Sequence, residues 1–297
     1  MMSIAAQPLS PNRVAAPRPV AARTDAGSGR VEVARVAGRT VPVRLSACSP
    51  LKLLAPRPLG GGGGDAAWIF ASTYGGGLVG GDAIDVDVTC GPGTRTLIST
   101  QASTKVYRTA GLPCRQSLAA RVADDAVLVV APDPLVCFAG SWLEQRQRIE
   151  LSGTASLVLV DSLASGRVAR GERWAFDRYR STIEVAVDGV PVFRDAMLLD
   201  PADGPLAAPL RMGRFDCLAM VVLLGPAVAG AAKQVLAFVN TQPAPARSPL
   251  LFAASPLPGG AVLRVAGPRT EVVGQWLREQ LDVVPALAGE DPWARKW

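Results

Sequence analysis

The 297-residue sequence predicts a mainly β protein with a few helices, ending in a strand/helix part over residues 216–285. Three observations point there. Short runs of alternating apolar and polar residues recur between turn signals about every eight to twelve residues. The 30 glycines and 25 prolines favour many short elements over a few long helices. Hydrophobic residues make up 49% and aromatic ones only 5%, so Val, Leu and Ala must fill the core. Residues 31–297 are read as one domain, long enough for a substantial interior.

Taken in order, residues 1–30 are rich in Ala, Pro, Arg and Ser without periodicity, which predicts a disordered basic tail. A transit peptide is the weaker alternative, because Pro11, Pro17 and Pro19 spoil an amphipathic helix. Val31–Leu45 reads as two strands paired around Gly38-Arg39, and Gly60–Gly64 as a flexible loop. Gly75, Gly76, Gly77, Gly80 and Gly81 then mark a backbone that needs positive φ or close approach. Strand runs follow at 84–89, 95–100, 117–122, 126–130, 146–151, 156–160, 183–187 and 190–194. Asp188-Gly189 is a hairpin signal, with Pro191 confining its return strand to an edge. The middle is therefore antiparallel or coiled β-structure, and no exact repeat is visible. Cys217–Leu224 reads as an apolar strand, Pro226 as a helix opener, and 250–254 and 261–265 as strands around Pro258-Gly259-Gly260. Thr270 is expected to cap a last helix carrying Val273, Trp276, Leu277 and Leu281 near one face. The final DPWARKW reads as an exposed tail offering Trp293 and Trp297 for contact.

Charge and cysteine usage narrow the function. The net charge is +6, and residues 1–44 carry +5 of it, with seven Arg against Asp25 and Glu32. The basic balance thus belongs largely to the tail, and nucleic-acid binding is not expected. The longest apolar run, Leu218–Leu224, is too short to span a bilayer, and no signal peptide opens the chain. Cys48, Cys90, Cys114, Cys137 and Cys217 show no metal or redox spacing, so reduced thiols and a cytoplasmic location are expected. There is no histidine. Ser-His-Asp and Cys-His nucleophile systems and histidine metal sites are excluded.

The motifs that remain have bland and sharp readings. Gly75, Gly77 and Gly80 fit G-x-G-x-x-G, but a dinucleotide site needs a helix next, and Ile84–Thr89 alternates as a strand. Asp82 either ties the glycine turn through backbone N–H groups or offers a carboxylate to a metal or a water-filled passage. Ser103 and Lys105 admit a Ser-Lys nucleophile, yet its S-D-N and K-T-G companions are missing. Lys105, Tyr107 and Arg108 otherwise present a charged strand surface to a partner. Glu172 stands among Arg167, Arg170 and Arg173, which predicts an ion-pair network, or an ion contact in a passage. Asp133, between two prolines, reads as a turn residue, and the five cysteines as small core residues.

Taken together, Tyr74–Asp82 (YGGGLVGGD), Ser103–Arg108 (STKVYR), Pro132-Asp133-Pro134, Phe138–Ser141 and Asp161–Trp174 (DSLASGRVARGERW) resemble the urease accessory protein family UreD, also called UreH. Asp188–Asp195, Arg211–Phe215 and the Trp276 helix continue the likeness, which covers about residues 30–297. The resemblance implies a non-enzymatic, β-rich, helical-strand scaffold. It implies binding to a UreF-type accessory protein, to a UreG-type GTPase through it, and to apo-urease, in a dimeric assembly. Nickel would pass through without a tightly bound cofactor. In a histidine-free chain its ligands would be waters, carbonyls, a cysteine or the carboxylates of Asp82 and Glu172. Lys105, Tyr107, Arg108 and Trp276 are the expected partner contacts. The alternative is a β-rich small-molecule enzyme using the Gly75–Gly81 loop with Ser103 and Lys105.

Overall fold

A computed structural model of the chain describes residues 27–56, 65–243 and 247–294. The expected tail lies outside them up to residue 26, as do the Gly60–Gly64 loop and Trp297. Ser28–Arg30, assigned to the tail by composition, instead open the first strand. Gly29 is there because a Cβ would stand 2.6 Å from the Leu51 side chain, so the residue serves close packing.

Two hairpins begin the fold. β1 (Ser28–Val36) and β2 (Arg39–Ala47) pair antiparallel about Ala37-Gly38, both at positive φ as a tight type I′ connection requires. β3 (Leu51–Leu54) and β4 (Ala67–Thr73) pair likewise. The chain then winds into a coil. β4, β5 (Gly77–Leu78) and β6 (Ala83–Cys90) form one turn, and β7 (Arg95–Thr100), β8 (Lys105–Val106) and β9 (Cys114–Val122) the next. β10 (Val127–Val130), β11 (Leu135–Cys137) and β12 (Trp142–Leu151) form a third, and β13 (Ser156–Ala164) with β14 (Arg178–Val187) a fourth. Between turns, β4, β7, β10 and β13 stack in parallel, as do β1, β6, β9, β12 and β14. β5, β8 and β11 stack as a narrow third face. The result is a β-solenoid around an enclosed lumen. Its turns begin at Ala67, Arg95, Val127 and Ser156, with loops of unequal length between strands, so backbone pairing repeats while the sequence does not.

The antiparallel half of the expectation holds at the ends. β15 (Val190–Leu199) returns along β14 through Asp188-Gly189, both at positive φ, with a register shift opposite Pro191. β16 (Cys217–Leu224), β17 (Leu251–Leu257) and β18 (Gly260–Gly267) extend the other sheet antiparallel beyond β13. The sheets therefore run β15-β14-β12-β9-β6-β1-β2 and β17-β18-β16-β13-β10-β7-β4-β3.

The two sheets differ in what covers them. The first alternates in β6, β12 and β14, with its outer face charged and bridged by Arg115–Glu144 at 3.5 Å and Arg146–Glu184 at 3.4 Å. The second is apolar on both faces, and Val127–Val130 is buried throughout. Its outer face is covered by α1 (Ala229–Thr241), α2 (Thr270–Gln280) and α3 (Val283–Ala288), which bury Val235, Val273, Leu277 and Val284 against Val158 and Val221. Each such side chain contributes about 1.5–3 kcal/mol. Trp68 fastens α3 to β4 by donating its indole N–H to the Ala288 carbonyl at 2.8 Å. The C-terminal strand/helix part thus continues the sheet and roofs it. α2 begins at Thr270 itself, after extended Arg269, so Thr270 is not its cap. Trp293, expected to be free, is half-buried against this outer core.

Candidate functional site

Alternation decides which side chains enter the lumen. In β12 they are Leu143, Gln145, Gln147, Ile149 and Leu151, and in β13 Leu157, Leu159, Asp161 and Leu163. One layer is dry, with Val88, Val122, Leu128, Ile149, Leu151 and Leu157 closing it. The adjoining layer is polar. On the first sheet Gln116, Gln145 and Ser181 are lateral neighbours on β9, β12 and β14. On the second sheet Asp161, Met220 and Arg264 are lateral neighbours on β13, β16 and β18.

Asp161 joins the two sheets. Its Oδ1 accepts from Gln145 Nε2 at 2.7 Å and Gln147 Nε2 at 3.2 Å. Burial pushes its pKa up to about 6, the two amides oppose that rise, and the Asp195 charge adds to it. The carboxyl is thus a proton-exchangeable group poised near neutrality inside the fold. Tyr179 beside it is 2% exposed, and its phenol is pushed well above its ordinary pKa by burial and by Asp161.

Three cavities lie end to end along this layer. One of about 190 Å³ is lined by Thr73, Thr100, Ser103, Thr104 and Gln116. It shares Thr100 and Gln116 with a second of about 90 Å³, which reaches Gln145 and Asp161. The third, about 210 Å³, begins at Asp161 and is lined by Tyr179, Ser181, Asp195 and Arg264. Each exceeds the space one water needs, roughly 10–15 Å³ on the same measure. Gln116 Oε1 is buried without a hydrogen-bond partner and lies where the first two cavities meet. Oxygen donors therefore line the band from Thr104 to Asp195, with Asp161 in the wall between two chambers.

The residues singled out from sequence lie mostly on the narrow third face. Asp82 ties the glycine turn, accepting the Val79 N–H at 2.9 Å. Gly77 and Gly80 serve that turn by close approach, since a Cβ would stand 2.5 Å from the Lys105 carbonyl oxygen and 2.4 Å from that of Thr109. Glu172 takes both arms of Arg167, one of them Nε at 2.8 Å, and accepts the Ala139 N–H at 3.2 Å. Arg167 first of all holds that carboxyl below its usual pKa range. Arg173 does not share it but pairs with Asp216. Neither Asp82 nor Glu172 lines the three cavities. Asp133 exchanges hydrogen bonds with Thr100, as a turn residue should.

Lys105 and Arg108 are exposed, and Tyr107 is half-buried with its ring edge-on to Phe138 at 5.4 Å. Trp276 is half-buried in a stack with Phe252 at 4.8 Å and Phe238 at 6.5 Å, on the roof and away from the Lys105 face. Ser103 and Lys105 part company: Ser103 lines a cavity while Lys105 is exposed on β8. All five cysteines are free. Burial pushes Cys137 up to about 12 and Cys114 up to about 11, so these thiols stay protonated. Among the described residues no three Cys, Asp or Glu side chains converge on one point. None of the described helices is long and apolar enough to cross a membrane.

Sequence reasoning missed Gln145, Gln147 and Asp161. The signal was present: the strand Trp142–Leu151 has Gln where the inward alternation of Leu, Ile and Leu demands an apolar residue.

Residues 25–297 match the family model described as UreD urease accessory protein. The urease accessory protein UreD of Sorangium cellulosum is 53% identical over 92% of this chain and 85% of its own length. Its namesake from Anaeromyxobacter is 48% identical over 91% and 89%. Urease accessory protein D of Arabidopsis thaliana is 36% identical over 90% and 99%. The chain belongs to the UreD family of urease accessory proteins.

Proposed function

We propose that this UreD-family chain is a non-catalytic scaffold of urease maturation whose solenoid lumen is a route for nickel towards apo-urease. The observation that carries the reading is the polar band from Thr104 through Gln116, Gln145 and Asp161 to Asp195, in a lumen otherwise filled with Val, Leu and Ile. Hydroxyl, amide and carboxylate oxygens spread along a passage bind a borderline divalent ion weakly at each step. Weak, serial binding suits transit, because a conduit must release what it takes up. Asp161 is the strongest single donor, and it lines both the second and the third cavity. Asp82 and Glu172 enter as outlying carboxylates of the same route on the third face. Each already holds a backbone N–H, so they are secondary to Asp161.

On this reading the third face with Lys105, Tyr107 and Arg108, and the roof with Trp276, meet a UreF-type protein and, through it, a UreG-type GTPase. The working assembly is dimeric and cytoplasmic. The enzyme alternative has less support, since Ser103 and Lys105 diverge and the glycine turn is consumed by packing.

The test is nickel delivery. Urease subunits and accessory proteins are co-expressed in a nickel-supplied host with the wild-type chain, with none, or with Asp161→Ala. Purified urease is then assayed for bound nickel. Full loading with wild type and near-empty urease with the other two supports the route. Equal loading in all three sinks it. Unchanged loading with Asp82→Ala/Glu172→Ala would remove those two residues from the route and leave the lumen in it.

A further inference from the structure

The lumen chamber beyond Asp161 holds two carboxylates and one guanidinium. Asp195 enters it from β15, opposite Ile183, and Arg264 from β18, two strands across from Asp161 on the other sheet. Arg264 Nη2 donates to Asp195 Oδ1 at 2.8 Å, so this pair closes one sheet onto the other across the chamber. Asp161 and Asp195 share a cavity of about 210 Å³ with the hydroxyls of Tyr179 and Ser181.

We propose that Arg264 is a positioning residue that keeps this chamber from retaining the cation, by occupying Asp195 so that the two carboxylates never close on one ion. The inference rests on the lumen being a nickel route. A guanidinium cannot lose its proton in a protein, so its claim on Asp195 is permanent. A divalent ion reaching Asp161 meets one carboxylate and neutral oxygens, and moves on. With the guanidinium gone, two carboxylates and two hydroxyls face one small chamber, which is a hard-donor set able to hold a divalent ion. Placement supports a role beyond packing. Arg264 takes an inward position on a strand whose preceding inward residue, Val262, is 3% exposed. Its own side chain keeps 50% of its exposure while Asp195 keeps 19%, so the pair sits at the chamber's solvent mouth. A mere sheet clamp would not need a second carboxylate, Asp161, behind it.

The experiment uses the full-length chain and its Arg264→Gln, Arg264→Lys and Arg264→Gln/Asp195→Asn variants. Each is equilibrated with nickel chloride, desalted and assayed for retained nickel by atomic absorption, with a thermal melt to verify folding. R264Q should retain about one equivalent, at least roughly tenfold more than wild type, the equivalent of about 1.4 kcal/mol in affinity. R264K, which restores the charge, and the double variant should return to the wild-type level. If folded R264Q retains no more than wild type, or the double variant retains as much as R264Q, the proposal falls. The assay contains no urease, so its failure is separate from failure of the route, which urease loading with Asp161→Ala decides.

Discussion

β12 and β13 build two kinds of interior within a few residues of each other. Towards Val122 and Val187, their Ile149, Leu151 and Leu157, each 0–1% exposed, close a dry layer. One or two inward positions along, Gln145, Gln147 and Asp161 turn the same lumen polar. The backbone is the same parallel ladder throughout, so pairing does not distinguish the layers; side chains alone do. The dry layer holds the coil together and the wet one weakens it at neutral pH, since burial of the Asp161 carboxylate outweighs its two amide hydrogen bonds. A fold that tolerates that cost in one layer must recover it in the other.

The comparison breaks most severely when the two chemistries are exchanged. Leu157→Asp places a carboxylate where no donor waits, and should cost more than about 4 kcal/mol, leaving little soluble chain at expression. Leu128→Ala in the same layer removes packing without adding charge and should cost about 2–5 kcal/mol, read from the midpoint of urea unfolding. In the wet layer the sign reverses. The folded-state pKa of Asp161 lies above its ordinary 3.8, so the folded chain takes up that proton first. Its contribution is therefore best at low pH, declines as pH rises from about 4 to about 6, and stays unfavourable above that. Asp161→Asn keeps an acceptor for both glutamines and should stabilise the chain by about 3 kcal/mol at neutral pH and by nothing near pH 3.5, while lowering the nickel delivered to urease. A destabilised Asp161→Asn at neutral pH would show that the wet layer is structural after all. Smallest of all, Lys105→Glu with Arg108→Glu lies outside both layers. Stability should move by less than about 0.5 kcal/mol, whereas co-purification of the accessory partners should drop.

Much of this was legible along the chain. The strand runs, the Asp188-Gly189 hairpin, the strict alternation of Ile84–Thr89 and the apolar strand Cys217–Leu224 stand where local pattern put them, while the first hairpin turns at Ala37-Gly38, one residue before the expected Gly38-Arg39. The coil did not announce itself, because unequal loops between strands hide a repeat that exists only in backbone pairing. The wet layer was hidden differently. Gln145 fell just before the strand read from sequence, and Asp161 just after its neighbour, so two strand ends concealed one shared interior position. Charge drew the eye to Asp82 and Glu172, which are conspicuous in sequence and bonded locally in space.

Each sheet of the coil stops in an antiparallel strand rather than another parallel one, and three of the four outermost strands contain proline: Pro42 in β2, Pro191 in β15 and Pro256 in β17. Proline offers no N–H, so these borders make poor templates for a further strand from a second molecule. A parallel coil has no intrinsic length and could in principle grow by accretion. This one carries its own terminators, and the distance from the chamber at Thr104 to the mouth at Arg264 is thereby a fixed property of the single chain, set like a ruler before any partner arrives.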